Sequence, residues 1–191
     1  MLTILSPNEN TWAHLHKSDA RYLAGELVQV RVTRKGFLPE YAPLPTAAWR
    51  SCPPPARLTR EYILAHPHWA CFFAFLDGQF AGQLIARPGG SPLCELLDIR
   101  VDATLRRQGI GTELLNTCEA WARKKSLQGI RTEVSDQNPV ACQFFQNSGF
   151  ALGGVDKLQH YADPGQAHKP AALRDSVLFF YRFWDKDSHS T

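Results

Sequence analysis

Hydrophobic and polar positions keep two different rhythms along this chain. From residue 71 onward they fall into runs of strand and helix length; before it they are broken up by prolines. Residues 71–76 form a β-rich run, Asp77-Gly78 has the chemistry of a two-residue hairpin turn, and 79–86 reads as the return strand. Pro88-Gly89-Gly90-Ser91-Pro92 predicts the next turn and 93–101 a third strand, which makes an antiparallel meander. Gly109 to Lys125 reads as a helix, with Leu114, Cys118, Trp121, Ala122 and Lys125 on one stripe and Lys124 and Lys125 suited to its negative end. A short strand is expected at 130–134. Asn138 and Pro139 then supply a cap and a first-turn residue for a second helix, with Val140, Ala141, Phe144, Phe145 and Ser148 as its inner face and Gly149 at its end. Residues 150–158 and 175–184 read as closing strands and 185–191 as a polar tail. The pattern is that of an α+β, layered fold: a mixed, largely antiparallel sheet flanked by helices.

The first third is less regular. Residues 27–32 alternate, which suits a strand or the end of a helix starting near Ser18-Asp19. Pro39, Pro43, Pro45 and the run Pro53-Pro54-Pro55 predict an irregular surface loop over 35–58, of the kind that covers or shapes a site.

Composition narrows the class. A chain of 191 residues is expected to form one domain, 1–191, divided into a variable part (1–70), a core (71–184) and the tail. At 44% hydrophobic residues it is too apolar for disorder, yet its densest stretch, Trp69–Leu76, is far short of the roughly 20 residues that cross a bilayer. The opening residues carry no basic run before an apolar one, so a cytoplasmic protein with no membrane partner is expected. A net charge of +3 is not the basic stripe of a nucleic-acid binder. Five scattered cysteines without a CxxC pair suit reduced thiols, and His14/His16 and His66/His68 lack a third ligand at metal spacing; no metal is expected.

The chemistry concentrates in Val101–Thr112. There a strand ends, a basic and glycine-rich turn follows, and an amphipathic helix begins. This arrangement turns several backbone N–H groups toward one spot, adds the positive helix end and places Arg106 and Arg107 at its rim, which makes an anion site most natural for phosphate. Glycines at 109 and 111 let a ligand approach the main chain closely. A Walker A loop is absent, and the third glycine of a dinucleotide fingerprint is Leu114.

The spacing Arg106-Arg107-Gln108-Gly109-Ile110-Gly111 resembles the pyrophosphate loop, Gln/Arg-x-x-Gly-x-Gly/Ala, of the GNAT superfamily of N-acetyltransferases. Asn138, Ala141, Gly149 and Phe150 match its later motif, in which Phe145 stands where the family has Tyr. The runs 129–133, 139–142 and 149–156, with 27–38, are similar to the streptothricin acetyltransferase group within it. The resemblance implies acetyl-CoA as cofactor, held by Ile99 and Val101 through their main chain, by Arg106, Arg107, Gln108, Gly109, Ile110, Gly111 and Thr112 at the pyrophosphate, and by Asn138 and Phe145 along the arm. It implies acetyl transfer to a primary amine of a small molecule by a monomer or homodimer. A protein N-terminus or lysine as acceptor, and an acyl-CoA-binding domain without turnover, are the alternatives. Glu95 and Asp98 are the candidate bases on the third strand, and strand alternation puts them on opposite faces. With Phe145 unable to give a proton, water or a hydroxyl such as Tyr161 or Tyr181 would protonate the leaving thiolate.

Overall fold

The computed structural model describes residues 1–159 and 175–184; Tyr161 and the tail at 185–191 lie outside them. The architecture is α+β with largely antiparallel strands, as the residue pattern predicts. The described residues fall into two compact units, one built from 1–21, 51–130 and 183–184, the other from 22–50, 131–159 and 175–182.

The first unit holds β1 (Leu2–Leu5), β4 (Ala70–Leu76), β5 (Gln79–Pro88) and β6 (Cys94–Val101), in the order β1-β4-β5-β6. All three neighbouring pairs are antiparallel. Asp77 and Gly78 both have positive φ (49° and 83°), the conformation of a two-residue turn whose twist matches the strands it joins. Helix α2 (Ile110–Lys124) packs across the four strands through Ile110, Leu114, Leu115, Cys118 and Ala122, all buried. Lys125, expected on that stripe, is instead exposed at the helix C-cap. The other sheet face is covered by the turn at Trp12–His14 and by helix α1 (Arg60–Leu64), where Trp12, Leu58, Ile63, Cys71, Phe73 and Ile85 form a core. At five residues α1 is too short to show a period in sequence, although Thr59 caps it by accepting from the Tyr62 N–H.

The second unit contains β7 (Gly129–Ser135), β8 (Ala151–Asp156) and β9 (Val177–Phe183) in the order β7-β9-β8, helix α3 (Pro139–Asn147), and a separate two-stranded ribbon of β2 (Arg21–Thr33) and β3 (Gly36–Ser51). The alternation at 27–32 is therefore a strand, and it runs well beyond its readable part. The loop expected over 35–58 is overturned: most of it is β3, sixteen residues long. Pro39, Pro43 and Pro45 are separated by even numbers, so their missing N–H groups fall on one edge of the strand, and the other edge is free to pair with β2. On α3 the buried residues are Pro139, Cys142 and Phe145, whereas Val140, expected inside, is exposed.

Candidate active site

Asp102, Ala103 and Arg106 tie the turn after β6 to the segment before β2. Asp102 caps its own short 3₁₀ turn, accepting from the Thr104 N–H at 3.1 Å, and also accepts from the Asp19 N–H at 2.9 Å. Arg106 completes the tie by donating to the carbonyls of Arg21 (2.7 Å), Val101 (3.1 Å) and Asp19 (3.3 Å). Its burial lowers the guanidinium pKa from the usual value, and all three nitrogens serve main-chain carbonyls. The expectation that both arginines line a rim thus holds for position alone: Arg106 is a clamp, and Arg107 and Gln108 are the exposed side chains.

The same turn winds through left-handed backbone at Arg107 (φ 66°) and Gly109 (φ 79°). A Cβ added at Gly109 would meet nothing within 4 Å, so its requirement is conformational and the space above it is open. Gly109 is the N-cap of α2 and brings no capping side chain. The first-turn N–H groups of Ile110, Gly111 and Thr112 are then left for a ligand, at the positive end of a fifteen-residue helix anchored by buried Ile110. Arg107 stands beside them. That combination fits a diphosphate.

Glu95 and Asp98 do not lie on opposite faces. The β5–β6 register pairs Ile85 with Asp98 but Ala86 with Leu96, so Leu97 is an extra residue in β6. This β-bulge restores both acids to the face that carries α1, because it cancels the odd spacing. Asp98 is buried, accepting from Gln83 Nε2 at 2.6 Å and from Arg100 Nε and Nη2. Gln83 is itself fully buried: its Nε2 also meets His16 Nδ1 (2.8 Å), its Oε1 accepts from the His16 N–H (2.7 Å), and His16 Nε2 reaches the Leu58 carbonyl (2.7 Å). His16 is thus locally bonded. Glu95 is nearer solvent, with a side chain 20% exposed, and is held by Arg87, its direct cross-strand partner, at 2.7 Å. Gln83, Arg87 and Arg100 were not readable as site residues, although Asp98-x-Arg100 is the same-face spacing of a strand and hinted at the pair.

In the second unit Asn138 caps α3, its Oδ1 accepting from the Ala141 N–H at 3.0 Å. Phe145 is buried in an aromatic core, 5.1 Å from the Phe150 ring and 6.2 Å from Phe180. Tyr181 lies over Gly153, where a Cβ would stand 2.5 Å from its ring. Asp136 is buried at the end of β7, and burial raises its carboxyl above the usual range despite hydrogen bonds with Ser176. Among the described residues no group of three or more His, Cys, Asp or Glu is placed to hold a metal ion. No described helix is long and apolar enough to cross a membrane.

The model of the acetyltransferase (GNAT) family matches residues 35–150. Streptothricin acetyltransferase of Escherichia coli is 28% identical over 114 residues, and streptothricin acetyltransferase A of Bacillus subtilis 27% over the same length. Each match covers 60% of this chain and 62% of the relative. Among solved structures, a protein of Bacillus anthracis assigned as a streptothricin acetyltransferase, crystallised with acetyl coenzyme A, superposes with a TM-score of 0.82 at 20% identity, over 97% of this chain and 98% of that one. Nourseothricin acetyltransferase gives 0.76 at 18% identity, over 95% and 98%. The open helix start, the glycine-rich turn and this family match agree: the chain belongs to the acetyltransferase (GNAT) family.

Proposed function

We propose that this protein transfers an acetyl group from acetyl-CoA to a primary amine of a small cationic molecule of the streptothricin kind, in the cytoplasm. The observation that carries the reading is the uncapped start of α2 at Gly109, open above and flanked by Arg107. Bound there, acetyl-CoA would supply the acetyl group as an activated thioester.

The chain's own residues have separable tasks in this scheme. The N–H groups of Ile110, Gly111 and Thr112 and the Arg107 guanidinium hold the diphosphate. Gln108 lies at the rim of the same turn. The main chain of Ile99 and Val101 extends along the arm, since β6 runs away from the turn for about 20 Å between Val101 and Glu95. A main-chain N–H on this strand steadies charge developing on the reacting carbonyl. Glu95 takes the proton from the incoming ammonium, directly or through a water. Asp98 is set behind it as a structural acid, with its oxygens engaged by Arg100 and Gln83. Asn138 and Phe145 keep the cap and core roles they have within their own unit.

The test is release of free coenzyme A thiol with a panel of amines. Wild type is expected to release thiol with a streptothricin-type acceptor, and Gly109→Glu is expected to abolish release and acetyl-CoA binding together. No release with any amine would overturn the reading. A folded Gly109→Glu protein that binds normally would remove the site. Phe145, having no proton to give, favours a second reading, an acyl-CoA-binding domain without turnover; calorimetry would then record binding where the thiol assay records none.

A further inference from the structure

A row of residues crosses three strands next to Glu95. Ala70 pairs with Ala86 and Arg87 with Glu95, so Trp69, one residue before β4, stands in line with Arg87 and Glu95 on the face that carries α1. The Arg87 guanidinium lies 5.6 Å from the Trp69 ring centre while its other contact is the Glu95 carboxylate at 2.7 Å. Beyond Trp69 come His66, with ring centres 4.7 Å apart, and Tyr62, 4.5 Å from His66 and 5.6 Å edge-on to Trp69. Tyr62 is 38% exposed. Thr59 caps the helix that carries Tyr62, and Ile63 and Leu58 bury its inner side, so the wall is fixed in place. His66 is pinned as well, its Nδ1 at 2.7 Å from the Tyr62 carbonyl.

We infer that this wall is the acceptor subsite, and that it selects a ring-bearing polycation over an open-chain amine. The inference rests on the acetyltransferase reading and deepens it. Aromatic faces suit the apolar face of a saturated ring and a flat, delocalised cation, and the carboxylate suits an ammonium. Arg87 already shows both preferences from within the chain: its guanidinium is stacked on an indole and paired with Glu95. An acceptor's ammonium displaces Arg87 from Glu95 while its ring rests on Tyr62 and His66. Glu95 is then relieved of one cation in the act of receiving another, which places the amine beside the base only when an acceptor is bound.

Streptothricin and spermidine serve as ring-bearing and open-chain probes. Tyr62→Ala is expected to raise KM for streptothricin about tenfold and leave kcat, KM for acetyl-CoA and KM for spermidine unchanged. Tyr62→Leu, which keeps apolar bulk on the short helix, is expected to raise it in the same direction. Calorimetry of streptothricin alone gives a readout that needs no turnover, and the same tenfold weakening is expected there. Thiol release by wild type, with KM and Kd for streptothricin within twofold in both variants, would sink the wall and leave the acetyltransferase standing. Tight streptothricin binding that Tyr62→Ala weakens, without thiol release, would leave the wall standing and sink the acetyltransferase. Equal losses for streptothricin and spermidine, or no streptothricin binding at all, would overturn the inference.

Discussion

Removing the Arg106 side chain takes a donor from the carbonyls of Asp19, Arg21 and Val101, of which Asp19 keeps the Ala103 N–H at 3.0 Å. Arg106→Ala is therefore expected to lower stability by about 1–3 kcal/mol, read as a drop in Tm. Arg107→Ala is expected to leave Tm alone and to weaken acetyl-CoA binding about tenfold at low salt, with a smaller loss as salt rises. The two acids on β6 divide in the same way. Arg100→Met strips a buried carboxylate of its partner and should cost about 3–5 kcal/mol, much of it regained in the double variant Asp98→Leu/Arg100→Met. Glu95→Gln should hold Tm near that of wild type and reduce kcat by about 10²–10⁴. The motif around Gly109 was legible because its chemistry is local: a turn, a glycine and a helix start are all written within a few residues. The difference between Arg106 and Arg107 was not, because it depends on a segment more than eighty residues earlier folding over the turn.

At the scale of elements, β4, β5, β6, α2 and α3 were readable from alternation, turn chemistry and caps, to within a few residues. The bulge at Leu97 was not, since a register belongs to two strands and no single strand records it. The face on which Glu95 stands follows from that one extra residue. Nor was β3 readable: three prolines argue against a strand until a free edge is available to receive them. Asn138→Ala should cost about 1 kcal/mol by removing the α3 cap, measurable by denaturant titration. Asp136 tests the junction of β7 and β9, where its N–H donates to the Ser176 carbonyl at 3.0 Å. Burial favours its neutral form and raises its pKa above the unfolded value, so its contribution to stability is full in acid and is lost as pH rises through the raised value. Asp136→Asn should accordingly gain on wild type in Tm as pH climbs from about 4 toward neutrality.

The molecule as a whole carries five free cysteines, of which Cys52 is exposed and Cys71, Cys94, Cys118 and Cys142 are buried. Burial pushes the Cys71 and Cys142 thiols up to about 12. Burial raises the Cys52 thiol as well, but its residue is the exposed one, so native protein at neutral pH should react with a thiol reagent faster at Cys52 than elsewhere, and at all five positions after denaturation. More than one fast thiol in the native state would count against the packing described. The ribbon of β2 and β3 has a different bearing on the whole. Its outer edge lacks amide donors at Pro39, Pro43 and Pro45, so an incoming strand finds too few partners to add on. The β3 edge of the ribbon can terminate a growing array but cannot seed one. Exchanging Pro43 and Pro45 for Thr would return two donors to that edge, and light scattering should then rise with protein concentration where wild type stays flat. A run of prolines that looks like a break in structure acts as a barrier to polymerisation.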